Sequence, residues 1–245
     1  MSIAENVAAV RARIAAAAES AGRRPEEILL VGASKMNDAA ACREAIAAGL
    51  TALGENRVQE LLEKDAQGAY EGAALHFIGR LQRNKVKYLV GRVDLIESID
   101  SLALLQEVQR LAEKRGVTQD ILLEVSAAGE ESKGGLPVAK VCSVAEAALG
   151  LPNVRVRGLM TIPPVCADPK ESRPYFEKVR ALSVDINEKL FHNELTYLSM
   201  GMSGDFEEAI RAGATMVRVG TAIFGARNYG AALGRGPRPM GGFSI

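Results

Sequence analysis

Ile28-Leu29-Leu30-Val31-Gly32-Ala33-Ser34-Lys35 is an apolar run that ends in an amine, and Met36-Asn37-Asp38 follow at once. The run reads as a buried strand, with Asn37 or Asp38 placed to cap the next helix. A strand that passes directly into a helix is the repeating unit of an α/β fold. Lys35 then stands at the strand's carboxyl end. Two readings apply to it. Lysine is rarely buried, so it can be a solvated strand terminator. An amine held against apolar walls instead loses its charged form more readily and becomes a nucleophile toward an aldehyde.

The same alternation continues outward from this segment. Short apolar runs predict strands over Ile28–Ser34, Thr51–Gly54, Leu75–Gly79, Val93–Ser98, Ile121–Val125, Val154–Thr161, Leu195–Met200 and Thr215–Val219. Helical spacing predicts helices over Asp38–Ala48, Arg57–Ala66, Ser101–Lys114, Val138–Leu149, Lys170–Lys189 and Asp205–Ala212. Gly116, Gly150 and Gly213 sit where helices should stop. Before the first strand, Ile3, Val7, Val10 and Ile14 share one helical face, which predicts an extra N-terminal helix. Eight strands alternating with helices over ~250 residues form the pattern of a single (β/α)8 TIM barrel. A doubly wound sheet is the competitor, but no Gly-x-Gly-x-x-Gly follows the first strand and no Walker loop is present. Residues 1–233 are expected to form this one domain and 234–245, rich in Gly and Pro, a disordered tail.

Composition narrows the function. Thirty basic and thirty acidic side chains cancel, and Trp is absent, so neither nucleic acid nor an anionic membrane is an expected partner. Cys42, Cys142 and Cys166 are odd in number and far apart, and His76 and His192 are isolated, so neither a disulfide framework nor a metal site is expected. No apolar run approaches the ~20 residues of a membrane span. Glu5 and Glu19 argue against a transit peptide at the Ala-rich N-terminus. A cytoplasmic monomer is the expectation.

Barrels of this kind place chemistry on the loops after their strands. Those loops carry Lys35, then Glu55, Asn56 and Arg57, then Arg80, Arg83, Asn84 and Lys85. The last two strands end in Ser199-Met200-Gly201-Met202-Ser203-Gly204-Asp205 and Arg218-Val219-Gly220-Thr221. Ser199, Ser203 and Thr221 offer hydroxyls to an anion, and Gly201, Gly204 and Gly220 allow backbone N–H groups close approach. Ser203 can equally cap the helix that starts near Asp205. Asp205 itself argues against an anion there unless its carboxylate points aside. Arg218, inside an apolar strand, either pairs with a barrel carboxylate such as Glu55 or donates to a ligand acceptor. An aldehyde-seeking amine, an anion site and an arginine donor together suit pyridoxal 5′-phosphate.

These segments resemble the pyridoxal-phosphate homeostasis protein family, which is built like the N-terminal barrel of alanine racemase. The resemblance rests on Val31–Lys35, Gly54–Glu60, His76–Gly79, Gln82 with Asn84-Lys85, Glu131–Gly135, Gly158–Pro163, Leu198–Ser203 and Met216–Gly225. It implies a Schiff base at Lys35 and Arg218 facing the pyridine nitrogen. It also implies phosphate contacts from the loop of Ser199, Met200, Gly201 and Ser203 and from Gly220 and Thr221, with Asn56 and Met160 lining the ring. Two segments depart from the family pattern. The loop after His76–Gly79 usually reads Pro-Leu-Gln-Ser-Asn-Lys, but here it is Arg80-Leu81-Gln82-Arg83-Asn84-Lys85. Pro163–Cys166 is also atypical.

An arginine opposite the ring nitrogen keeps that nitrogen unprotonated and the ring a poor electron sink. The β-rich second domain that gives alanine racemase its opposing tyrosine is expected to be absent. The leading reading is therefore a carrier of pyridoxal phosphate without significant turnover, with apo forms of enzymes that use the cofactor as possible recipients. An amino-acid racemase using Lys35 is the alternative, and a Schiff-base aldolase a third. Lys133 reads either as a solvated loop lysine or as a second amine that accepts the cofactor in transit.

Overall fold

The computed structural model describes residues 1–129 and 134–225. The opening run forms β1 (Leu29–Ala33), and the Asp38 carboxylate caps α2 (Ala39–Ala47) by accepting from the Ala41 N–H at 2.8 Å. The chain continues through β2 (Ala52–Glu55), α3 (Val58–Asp65), β3 (Ala74–Phe77), β4 (Leu95–Ile99), α4 (Leu102–Arg115) and β5 (Gln119–Ser126). Then come β6 (Leu136–Pro137), α5 (Val138–Leu149), β7 (Val154–Thr161), α6 (Arg173–Leu190), β8 (Tyr197–Ser199), α7 (Phe206–Arg211), β9 (Met216–Val219) and α8 (Thr221–Phe224). Every ladder is parallel. β1 pairs with both β2 and β9, and β4 with both β3 and β5, so eight strands close into a ring. This is the expected TIM barrel, and all eight expected strands form.

Two details differ from the expected pattern. β6 is a two-residue strand that pairs only with the end of β5, and is too short to leave a periodic signal. The last long helix, expected from Lys170, starts at Arg173 after a 3-10 turn over Pro169–Ser172. Prolines at 169 and 174 remove N–H donors there and are tolerated only in a helix's first turn. The crossing from β3 to β4 carries a 3-10 helix over Arg83–Tyr88, where the spacing showed no α-helix.

The extra helix α1 (Ile3–Ser20) starts in a capping box, with Glu5 N–H donating to Ser2 Oγ and Ser2 N–H to Glu5 Oε2. Its buried Val7, Val10 and Ile14 each contribute roughly 1.5–3 kcal/mol. It lies across α2, α7 and α8, and Asn6 Nδ2 donates to the Ile223 carbonyl at 2.8 Å. Gly116 ends α4 in the left-handed conformation. No described helix is long and apolar enough to cross a membrane.

Strand alternation sorts side chains to two sides. Val31, Ala52, Leu95, Leu122, Met160 and Met216 form a small apolar layer inside the barrel. Leu30, Leu53, Phe77, Ile96, Leu123 and Val217 belong to the larger core between strands and helices. Residues 130–133, which include Lys133, and residues 226–245, which include the expected tail, lie outside the described residues.

Candidate functional site

The inner layer turns polar two residues farther along the strands. Ala74 leads to His76, Leu95 to Glu97, Leu122 to Glu124, Tyr197 to Ser199 and Met216 to Arg218. Two residues advance a strand by about 6.6 Å, so these side chains form the next layer toward the carboxyl ends. By the same alternation Val31 leads through Ala33 to Lys35, at the mouth above them.

Four of these side chains form one buried network. Glu97 Oε1 lies 2.8 Å from His76 Nδ1, and Glu97 Oε2 accepts from the Ser199 hydroxyl at 2.6 Å. Arg218 stands 3.8 Å from Glu97, donates to Ser199 Oγ, and gives a 2.9 Å bond to the Thr161 carbonyl. Glu97 is fully buried and Arg218 is 3% exposed. Burial pushes the Glu97 carboxyl upward, but the hydrogen bond and charge of His76, the Arg218 charge and the Ser199 hydroxyl outweigh it and hold it below the ordinary carboxylate value. Burial lowers the Arg218 pKa, against the opposing pull of Glu97, Glu124 and Asp205. All Arg218 bonds run through its terminal nitrogens.

This geometry corrects several expectations. Arg218 takes Glu97 as its carboxylate, not Glu55. Strand alternation turns Glu55 outward, where it meets Lys64 of α3 at 2.7 Å. Ser199 was expected to reach the anion, but its hydroxyl is engaged by Glu97 and Arg218 inside the barrel. Ser203 does not cap α7. Its Oγ accepts from the N–H groups of Gly220 (3.2 Å) and Ala222 (3.4 Å), which ties the loop after β8 to the start of α8. Asp205 does not turn to solvent either. It is half-buried and accepts from the Met202 N–H at 2.6 Å, and burial raises its pKa.

The remaining expected residues fall as follows. Lys35 is half-buried at the end of β1, and Asn56 is half-buried just after β2. Met160 packs in the inner apolar layer, while the Met200 side chain lies in the outer core and leaves only its backbone toward the mouth. Gly201 has φ +94, and a Cβ there would lie 2.8 Å from Phe206 Cα and 2.6 Å from Ala209 Cβ, so α7 packing alone demands glycine. Gly220 sits against the end of β1, where a Cβ would approach the Ala33 carbonyl oxygen to 3.1 Å. Thr221 is exposed at the start of α8. The fold therefore gathers Lys35, Arg218, Ser203, Gly220 and Thr221 around the joined ends of β1, β8 and β9.

Glu97 and Glu124 were not singled out from sequence, although each carries the same signal as Arg218, a charge in an apolar strand. Glu124 is 8% exposed and has no hydrogen-bond or ion-pair partner among the described residues. Burial, then the nearby Asp100, push its carboxyl up to about 7, with Arg218 and Arg80 pulling it down. His76, read as isolated, is a member of the network. The atypical loop after β3 lines a cavity of about 790 Å³ with Asn56, Arg57, Arg80, Lys85 and Asp100.

Comparison with known proteins shows the family of the chain. Residues 6–228 match the family model described as alanine racemase, N-terminal domain. The pyridoxal phosphate homeostasis protein of Aquifex aeolicus is 47% identical over 94% of this chain and all of its own length. That of Pseudomonas aeruginosa is 45% identical over 94% of this chain and 97% of its own. Among solved structures, PipY of Synechococcus elongatus with PLP bound superposes with a TM-score of 0.80 and 35% identity, covering 91% of this chain and all of that one. An alanine racemase from Clostridium difficile shares the fold at a TM-score of 0.66 and 15% identity, covering 82% of this chain and 53% of its own. The chain belongs to the alanine racemase N-terminal domain family and, within it, to the pyridoxal phosphate homeostasis proteins.

Proposed function

We propose that this chain binds pyridoxal 5′-phosphate in the barrel mouth, anchors it at Lys35, and serves to hold and deliver it without significant turnover. One observation carries the reading. Lys35 follows the end of β1, and the neighbouring strand β9 carries the buried Arg218, whose guanidinium is held by Ser199, Thr161 and Glu97. A guanidinium donates and never accepts, so a heteroaromatic nitrogen is a suitable ligand atom to set opposite it. The relatives named for pyridoxal phosphate homeostasis, and PipY with PLP bound, support the same ligand.

Each residue has a distinct part. The Lys35 amine supplies the covalent anchor as a Schiff base. The Glu97 carboxylate, fixed by His76 and Ser199, keeps the Arg218 guanidinium charged and aimed. Ser203 holds the loop after β8 against α8, and Gly220 and Thr221 border the place for an anion. Asn56 and Met160 bound the mouth from β2 and β7. When bound, the cofactor supplies an aldehyde and an electron-withdrawing ring. A guanidinium opposite its nitrogen keeps that nitrogen unprotonated and weakens the ring as an electron sink, which favours a carrier over a racemase. None of Tyr70, Tyr88, Tyr175 or Tyr197 belongs to the polar layer where an opposing base would stand. Residues 1–233 are the unit proposed to do this, and apo-enzymes the proposed recipients.

The test is the visible spectrum of the protein with added pyridoxal 5′-phosphate, beside Lys35→Ala. A visible band in the parent protein that Lys35→Ala loses supports the anchor. No band in either removes the reading. Solvent deuterium incorporated at Cα of either alanine enantiomer, and lost in Lys35→Ala, would replace the carrier with the racemase.

A further inference from the structure

On the helix-facing side of β1 and β2 lies a second buried polar cluster. Lys64 of α3 is 5% exposed, and its Nζ makes three short contacts: Ser34 carbonyl at 2.8 Å, Glu55 Oε1 at 2.7 Å and Glu60 Oε1 at 2.7 Å. Glu55 Oε1 also accepts from the hydroxyls of Ser34 (2.6 Å) and Tyr70 (3.2 Å). Glu60 Oε1 accepts in addition from the Met36 N–H. The cluster thus grips the backbone at Ser34 and at Met36, the two residues that flank Lys35.

An apolar side chain would join α3 to β2 equally well, because a buried ion pair adds little net stability over a well-packed hydrophobic pair. The cluster even leaves Glu55 Oε2 without a partner among the described residues. What the charges provide beyond packing is direction, since Lys64 and Glu60 bond specified backbone atoms. That matters at Met36, whose φ of +64 is uncommon outside glycine. Asn37 completes the turn, its N–H bonding the Ser34 carbonyl and its side-chain amide the Lys35 carbonyl.

We infer that Lys64 and Glu60 are positioning residues for Lys35, clamping the peptide on either side so that its amine enters the barrel mouth in one orientation. The inference rests on the reading of Lys35 as the cofactor's anchor. Because the clamp sits outside the barrel, its loss changes how the amine is presented and leaves the mouth's lining in place.

Three variants test it: Glu60→Ala, Glu60→Gln, and Lys64→Met combined with Glu55→Gln. The last removes both buried charges together while retaining an acceptor for Ser34 and Tyr70. Three readouts are taken on the full chain: amide exchange at Met36, equilibrium loading with pyridoxal 5′-phosphate followed by the visible band, and the thermal midpoint. Glu60→Ala should exchange Met36 faster and load about tenfold more weakly, the size expected for losing a hydrogen bond to a charged group. Glu60→Gln keeps an acceptor for the Met36 N–H and should restore most of both. The double variant should fold and load weakly. Parent-like loading in both Glu60→Ala and the double variant overturns the inference, and so does a loading loss that follows the thermal midpoint and is equal in Glu60→Gln. If the parent protein itself shows no band, the cofactor reading has failed. Met36 exchange then decides the clamp alone, and an unchanged rate in Glu60→Ala overturns it.

Discussion

Glu97 and Glu55 are both fully buried glutamates on neighbouring parts of one barrel, yet they are held in opposite ways. Glu97 points inward, with both oxygens bonded, one at His76 and one at Ser199, and its carboxyl is held below the ordinary value. Glu55 points outward, with one oxygen crowded by Lys64, Ser34 and Tyr70 and the other without a partner among the described residues. Burial there wins over Lys64 and raises its carboxyl. Burial is common to the two sites, so the surrounding charges decide the direction: His76 and Arg218 both favour the Glu97 carboxylate, whereas Lys64 acts on Glu55 against the like charge of Glu60. The inner site holds a fixed charge that steers Arg218. The outer site is a clamp whose value is geometric.

The largest expected effect is at the inner site. Glu97→Ala leaves Arg218 buried without its counter-charge and should cost about 3–5 kcal/mol, read from the urea midpoint. A cost no greater than that of Glu55→Gln would erase the contrast. The pH dependence sharpens it. A carboxyl lowered on folding stabilises the fold above its unfolded pKa, and that share is lost as pH falls through the folded value, so Glu97 contributes to acid unfolding.

Glu124 has the opposite sign. Its folded pKa of about 7 exceeds the ordinary 4.5, so the folded protein keeps a proton that the unfolded chain releases. Stability therefore falls as pH rises between those values. Glu124→Gln should raise stability at pH 8 by up to about 3 kcal/mol and flatten the curve from pH 5 to 7. An unchanged slope between parent and variant would show that Glu124 is ionised throughout. Glu55→Gln should cost less than Glu97→Ala, because the amide oxygen still accepts from Ser34, Tyr70 and Lys64, and Glu60 still faces the Lys64 charge. Smallest in reach is Ser2→Ala, which removes the α1 cap far from both clusters. It should cost about 1 kcal/mol and add independently to Glu97→Ala in chemical denaturation.

Much of the site was legible because it depends on local order. Lys35 continues the alternation of Leu29, Val31 and Ala33 along one strand, and Arg218 announces itself as a charge between valines. The hydroxyls were harder. Ser199 ends β8 and Ser203 lies four positions on in the loop that follows, yet one is locked to Glu97 and the other bonds backbone at α8. No residue within that loop reveals the difference, since the partners lie about 100 and 20 positions away. Pairing Arg218 with Glu55 failed for a related reason. Glu55 ends its strand on the outward parity, and Glu97, deep inside Leu95–Ile99, was read as strand and not as site.

The amino-acid sequence by itself determined the eight strands, the helices that follow most of them, the extra helix at the N-terminus and the amine at the end of β1. Those follow from hydrophobic period, caps and glycine stops, which act within a few residues. Only the tertiary structure decided which glutamate meets Arg218, which serine faces the loop, and how Lys64 and Glu60 grip the peptide around Lys35. Those outcomes depend on ring closure and register between distant strands, where a shift of one residue turns a side chain to the other face.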